Sequence, residues 1–250
     1  MAHTLQSYLK KNLTHGRFKF GFPLFTKPRR LALPTVTLLI IDCVDYERAR
    51  RALDHCRFYC DFAEVKLLTH FEIDDPLVVK IAPLRSIEAY SEFLLKQVTD
   101  YFRTEHVLIA QWDGFVFNPR YWTPEFLRYD YIGAPWPVHL IANPEHKEYL
   151  VGNGGFSLRS KRLQDFLKQD PAIQAIDSED VVICQYQRAR LEQAGFHFAP
   201  VELARQFACE VNLTRSFGQH GRVGVNMPLH PLWLRLYNLL HYGRFVRQVL

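Results

Sequence analysis

Acidic residues are missing from both ends of this chain. None occurs from Met1 to Ile41 and none from Val211 to Leu250, although the sequence holds 26 Asp and Glu. Of its 31 Lys and Arg, seven lie in the first segment and five in the last, so 19 share the middle with all 26 acids. The total of +5 therefore hides a mildly acidic body (net −7) between two basic ends. Such a partition suggests an anionic surface or an anionic substrate as partner. Long apolar runs are absent too: no stretch of 18 apolar residues occurs, which argues against a spanning helix, and the apolar run of a secretory signal does not follow Met1. The five cysteines (43, 56, 60, 184 and 209) are odd in number and contain no CxxC pair. They read as reduced core thiols rather than a metal site, and a cytoplasmic setting is expected. Neither an internal repeat nor a nucleic-acid module is recognisable.

What remains is an ordinary globular composition, 48% hydrophobic and 23% charged, long enough for one large domain or two small ones. Thr35–Ile41 (TVTLLII) is a continuous aliphatic run, as in a strand covered on both faces. Tyr46–Cys60 has helical apolar spacing, and Val65–Thr69 predicts a second strand, completing a βαβ unit. Ser86 is placed to cap a helix of about 17 residues with Ile87, Tyr90, Phe93, Leu94, Val98 and Tyr101 on one face. Val107–Ala110 is the next buried strand. This alternation predicts an α/β fold with a mostly parallel sheet. The aromatic, Pro- and Gly-rich residues 118–157 read as cover for a site rather than as sheet. A short helix is expected over Lys161–Lys168, another from a Ser178 cap to about Ala194, and a late strand over Phe196–Phe198. Leu5–Leu13 reads as a short helix. Leu229–Leu250, apolar on one face with Arg235, Arg244 and Arg247 beside it, reads as a basic amphipathic helix suited either to a membrane surface or to packing on the domain.

Several residues could carry chemistry, each with a blander alternative. Asp113 follows the strand VLIA and precedes Gly114. A carboxylate beyond the end of a parallel strand can hold a divalent cation against a diphosphate, but Asp-Gly is also a common turn. Gly152-Asn153-Gly154-Gly155-Phe156-Ser157 lets the backbone approach a ligand closely, or makes a tight hairpin. It is neither a dinucleotide GxGxxG nor a P-loop. Glu179 and Asp180 are either dipole partners at a helix start or a general base. His220, between glycines, is a metal ligand, a phosphate contact, or a plain structural histidine. The rigid block Tyr129–Pro137, with Trp136, either floors a sugar pocket or packs the core.

The order of these blocks is more specific than any one of them. QWDGFVFNP (111–119), YDYIGAPWP (129–137), VGNGGFSLRS (151–160), SEDVVIC (178–184), FAP (198–200), FACE (207–210) and FGQHG (217–221) together resemble a family of bacterial proteins of largely unknown function. That family is usually grouped with GT-A-type nucleotide-sugar glycosyltransferases. The resemblance spans about residues 35–221. It implies a single Rossmann-like domain over that range; the basic N-terminal arm over 1–34 and the basic C-terminal segment over 222–250 lie outside it. It implies transfer of a sugar from a nucleotide-sugar donor to a hydroxyl of a glycan or lipid-linked acceptor, with inversion, as in polysaccharide biosynthesis. Asp180 or Glu179 would be the catalytic base. Asp42, Asp113, Gly114 and Arg159 would face the donor, and Trp136, Asn153, Gly154, Gly155 and Ser157 the acceptor and sugar. Asp113 and His220 would hold Mn2+ or Mg2+. The pattern departs from the usual Asp-x-Asp, because residue 111 is Gln and residue 115 is Phe. Two alternatives stand beside this: a non-catalytic sugar- or nucleotide-binding protein on the same fold, and a protein that uses its basic arms on an anionic membrane surface or, less favoured, on nucleic acid. The preferred setting is cytoplasmic, with the arms at the inner face of the membrane.

Overall fold

The computed structural model describes residues 30–137, 141, 149–210 and 215–221. The expected helices over Leu5–Leu13 and Leu229–Leu250 lie outside these residues, as does nearly all of both basic arms.

The first strand, β1 (Leu31–Ile41), is followed by helix α1 (Tyr46–Tyr59) and β2 (Cys60–Thr69). Next come β3 (Val78–Lys80), α2 (Ile87–Lys96) and β4 (His106–Ala110). A six-stranded sheet runs β3-β2-β1-β4-β7-β6, where β6 is Tyr131–Gly133 and β7 is Phe156–Ser160. The pairs among β3, β2, β1 and β4 are parallel, and β7 is antiparallel to both neighbours. The fold is thus mixed α/β with a mostly parallel central sheet. Alternation along β1 explains why its sequence looks uniformly apolar. Leu38 and Ile40 enter the core beneath α1 with Leu53 and Cys56, whereas Leu39 and Ile41 enter the core beneath α2 with Phe93 and Leu94. Val107 and Ile109 of β4 join the second core, and Leu108 and Ala110 the first. A strand buried on both faces has no polar side to show.

Both main helices are capped, the second by Ser86 as expected. Asp45 accepts the N–H of Arg48, and Ser86 accepts that of Ala89, each satisfying a first-turn donor. The cysteines are all free, and four of them are buried. Burial pushes the Cys56 thiol up to about 12 and those of Cys60 and Cys184 up as well. They are inert core thiols.

Five sequence expectations change. Strand β1 starts at Leu31, carrying Pro34 within it, so the boundary drawn at residue 34 cuts through a strand. The helix after Ser86 ends at Lys96 and gives way to a 3-10 turn over Val98–Tyr101, where the β-branched pair Val98–Thr99 resists the helix. Ile87, expected on its inner face, is 72% exposed. Segment 118–157 does build sheet. All five residues of β7 are buried, but Ser157, Arg159 and Ser160 are polar, which hides the strand from an apolar pattern. The helix from Ser178 is broken: α4 (Glu179–Val181), a π turn (Val182–Tyr186) and α5 (Arg188–Gln193), with no side-chain cap from Ser178. Phe196–Phe198 forms no strand, only a bridge from Phe198 to Tyr131. The expected helix over Lys161–Lys168 is observed as α3 (Lys161–Gln169).

Helix α6 (Val201–Phe207) leads into a small sheet, with β5 (Phe115–Val116), β9 (Gly218–Gln219) and β8 (Ala208–Cys209) in that order. A cluster of Phe126, Phe156, Phe207 and Phe217 ties it to β7, with ring centroids 5.3–6.5 Å apart. A Cβ on Gly218 would enter the Phe156 ring. This packing delivers the next residue but one, His220, to the end of the main sheet.

Candidate functional site

A cleft of about 970 Å³ opens beyond the carboxyl ends of β1, β2 and β4, where open parallel sheets place ligands. Asp42, Gln111, Trp112, Gly154, Gly155, Glu179, Asp180 and His220 all line it. These come from five separate stretches of sequence.

The Gly-rich segment forms the floor. Gln111 N–H donates to Gly155 O at 2.9 Å, and Gly114 N–H donates to Gln111 O at 2.9 Å. Asp113 thus sits in a tight turn laid against Gly154-Gly155, so the turn reading and the functional reading are compatible. A methyl on Gly114 would strike Gly155 O, and one on Gly155 would overlap His220 Nε2. Asn153 takes a left-handed φ of 47°, a conformation Asn tolerates better than most residues.

On one wall, Asp180 Oδ2 accepts the N–H of Gly154 at 2.7 Å and Oδ1 that of Val181 at 2.9 Å. Glu179, 4% exposed, pairs with Arg159 Nη2 at 2.8 Å. Burial pushes the Glu179 carboxyl up, reinforced by the charge of Asp180, and the Arg159 pair works against that shift. Arg159 Nε donates to Ser157 Oγ at 2.9 Å, Ser157 Oγ donates to Gly154 O at 3.1 Å, and the guanidinium lies over the Tyr131 ring at 5.1 Å.

On the other wall, His220 Nε2 lies 3.2 Å from Gln111 Oε1 and 3.3 Å from Asp113 Oδ1. Its Nδ1 lies 3.0 Å from Asn153 Nδ2 and 3.6 Å from Glu210 Oε1. Burial opposes a charge on this ring, but the carboxylates of Asp113 and Glu210 outweigh it and hold the pKa at about 9. Asp113 Oδ1, Asn153 Oδ1 and Glu210 Oε2 are buried without a hydrogen bond.

Several sequence-predicted residues therefore meet. Asp180, Glu179, Gly154, Gly155, Asp42 and His220 line one cleft, and Asp113 touches it through His220. Others are placed elsewhere. Arg159, expected at the donor, is 0% exposed and committed to Glu179. Ser157, expected at the acceptor, is also 0% exposed and bonded to Arg159 and Gly154. Trp136 packs on Gly152, where a Cβ would enter its ring, and does not line the cleft. Asn153 is 3% exposed and faces His220. Gly114 supports the turn. Asp42 is 7% exposed, and its Oδ1 already accepts the N–H groups of Val44 and Asp45. Sequence reasoning assigned no role to Glu210, whose only signal is the acid of FACE, or to Tyr90, whose hydroxyl accepts from Gln111 Nε2 at 3.3 Å.

A divalent cation suits the chemistry of a buried carboxylate oxygen that makes no hydrogen bond and stands beside an imidazole nitrogen. Among the described residues no three His, Cys, Asp or Glu side chains are grouped to hold one, and no helix is long and apolar enough to cross a membrane.

The chain is similar in structure to a glycosyltransferase involved in glycosylation of the major capsid of PBCV-1. The identity is 14% and the TM-score 0.46, covering 75% of this chain and 92% of that one. It is also similar to the mannosyltransferase PcManGT from Pyrobaculum calidifontis, solved with GDP-Man and Mn2+, at 13% identity and a TM-score of 0.47, covering 98% and 73%. A third is glucosyl-3-phosphoglycerate synthase from Mycobacterium tuberculosis, at 13% identity and a TM-score of 0.38, covering 69% and 76%. No curated protein matches in sequence. The family described as protein of unknown function DUF5672 matches residues 76–223, more than half of the chain, and the chain belongs to that family.

Proposed function

We propose that this protein is a glycosyltransferase that moves a sugar from a nucleotide-sugar donor to a hydroxyl of a glycan or lipid-linked acceptor. The observation that carries this reading is the convergence of Asp180, the Gly154-Gly155 backbone and the Asp113–His220 pair on one cleft at the carboxyl ends of parallel strands.

Asp180 is the group best placed to act as base. Its two oxygens are each held by one backbone N–H, so the carboxylate is oriented while keeping lone pairs free for a further donor. An acceptor hydroxyl bonded there gives its proton to Asp180 as its oxygen attacks the anomeric carbon. The bond from that carbon to the nucleoside diphosphate breaks, the electron pair leaves with the diphosphate, and the anomeric configuration inverts. Glu179 serves with Arg159 to fix the wall behind Asp180. Gly154 and Gly155, lacking side chains, let donor and acceptor reach the backbone. A divalent cation held by Asp113 and His220 would neutralise charge developing on the leaving diphosphate. A cytoplasmic setting and attachment of the basic arms to an anionic membrane surface belong to the same reading.

A panel of nucleotide sugars with Mn2+ tests it. One donor should raise the melting temperature, Asp113→Ala should abolish the shift, and transfer should give an inverted product. A panel without any shift overturns the reading. A second reading, a non-catalytic sugar- or nucleotide-binding protein on this fold, is motivated by the single carboxylate of QWDG. Donor binding without turnover, unchanged in Asp180→Asn, would favour it.

A further inference from the structure

The sequence lacks the second carboxylate expected near Asp113, and space supplies other donors. His220 Nε2 stands beside two oxygen donors: it is 3.2 Å from Gln111 Oε1 and 3.3 Å from Asp113 Oδ1. Ligands bonded at right angles to a small divalent ion, at roughly 2.1 Å, sit about 3 Å apart. Asp113 Oδ1 is buried and makes no hydrogen bond, which costs free energy unless something else satisfies it.

Two further contacts fix this arrangement. Gln111 Nε2 donates to Tyr90 Oη at 3.3 Å, which leaves the amide oxygen facing His220. On the far edge of the ring, Nδ1 meets Glu210 Oε1 at 3.6 Å and the amide of Asn153 at 3.0 Å. Asn153 is 3% exposed, and its Oδ1 has no partner. The two orientations of an amide are nearly isosteric, so turning Oδ1 toward the ring lets it accept Nδ1–H and satisfies the orphan. A proton held on Nδ1 leaves the lone pair on Nε2, as second-shell partners of metal-bound histidines do. Gly155 is required as well, because a side chain there would occupy the space of Nε2.

We propose that Gln111, Asp113 and His220 form a divalent-cation site in which the Gln111 amide oxygen replaces the missing carboxylate, with Glu210 and Asn153 as the positioning residues that aim His220 Nε2 at the ion. The set is carboxylate, amide and imidazole. Together with Glu210 its negative charge is −2 when the ring is neutral, matching a divalent cation. This deepens the glycosyltransferase reading and rests on it for what the ion faces in the cleft.

The test is an electron paramagnetic resonance titration of the full chain with Mn2+, with and without inorganic pyrophosphate and with no sugar donor. Wild type should take up one Mn2+ per chain, and pulsed spectra should show nitrogen modulation from the imidazole. Gln111→Leu should weaken uptake about ten-fold or more, while Gln111→Glu should hold or tighten it. Glu210→Gln should weaken the nitrogen modulation while its melting temperature in EDTA stays that of wild type, which a merely structural role would not produce. Folded wild type that takes up no Mn2+ in either condition overturns the site, as does Gln111→Leu binding like wild type. Mn2+ uptake with no response to any sugar donor would remove the transfer reading and leave the cation site standing.

Discussion

The two walls of the cleft handle charge in opposite ways. On the Asp180 wall the acids are satisfied from within. Both Asp180 oxygens accept backbone N–H groups, Glu179 is paired with the buried Arg159, and Ser157 links Arg159 to the Gly-rich floor. On the His220 wall, Asp113 Oδ1, Glu210 Oε2 and Asn153 Oδ1 are buried with no hydrogen bond. Internal compensation fixes geometry, and that is what a proton acceptor needs before its substrate arrives. Acceptor oxygens that make no hydrogen bond leave binding free energy for something that comes from outside the chain. The first wall is therefore expected to govern stability and the second to govern ligand affinity.

Breaking the compensated wall should have the largest effect. Arg159→Leu leaves Glu179 buried beside Asp180 with no counter-charge. Losing one partner of such a pair costs about 3–5 kcal/mol, a fall in melting temperature of roughly 6–20 °C for a chain of this size. The double change Arg159→Leu, Glu179→Leu should cost less than Arg159→Leu alone, because no orphaned charge remains. Asp113→Asn in EDTA should shift the melting temperature by a small fraction of that amount. Calorimetry of the three variants checks the contrast, and equal losses from Arg159→Leu and Asp113→Asn would erase the distinction between the walls.

Asp130 sharpens the comparison from outside the cleft, as another compensated acid. Burial alone would raise its pKa, but hydrogen bonds from Arg162, Ser160 and the His197 N–H outweigh burial and lower it. With the folded value below the unfolded one, near 3.9, the unfolded chain binds more protons, and stability rises with pH through that window. The contribution is complete above about pH 4 and is lost as pH falls through the lowered folded value. Asp130→Asn should be less stable than wild type at neutral pH, and the gap should close on acidification below about pH 4. A gap independent of pH would mean that Asp130 acts through shape alone.

The same division explains what the sequence made legible. Strands β1 and β4 were readable because both faces are apolar, and the cap at Ser86 acts within three residues. Strand β7 was not, since Arg159 reads as a surface or ligand-binding residue until its partner, 20 positions away, is known. Ser157 is assigned to the acceptor by resemblance alone, and only the fold shows its hydroxyl bonded to Arg159. The cleft residues Asp180, Gly154, Gly155 and His220 sit in local motifs that name them. Glu210 and Gln111 gain their meaning from what β8, β9 and the Asp113 turn bring together, and no local spacing contains that information.

The smallest expected effect on the fold is also the most informative about Asp180. Asp180→Asn keeps the volume and one carbonyl oxygen, so it can still accept the N–H of Gly154 or of Val181 but not both equally well. The cost is one backbone hydrogen bond, about 1 kcal/mol. That is a shift in melting temperature of only about 2–4 °C. Donor binding depends on the other wall and should be retained. Transfer to an acceptor hydroxyl should fall by at least about a hundred-fold, the lower range for loss of a general base, because an amide cannot take the proton. A variant that binds donor and transfers at the wild-type rate would leave Asp180 as one more compensated acid, holding the Gly154 backbone in place as Glu179 holds Arg159, and would move the search for a base to the opposite wall.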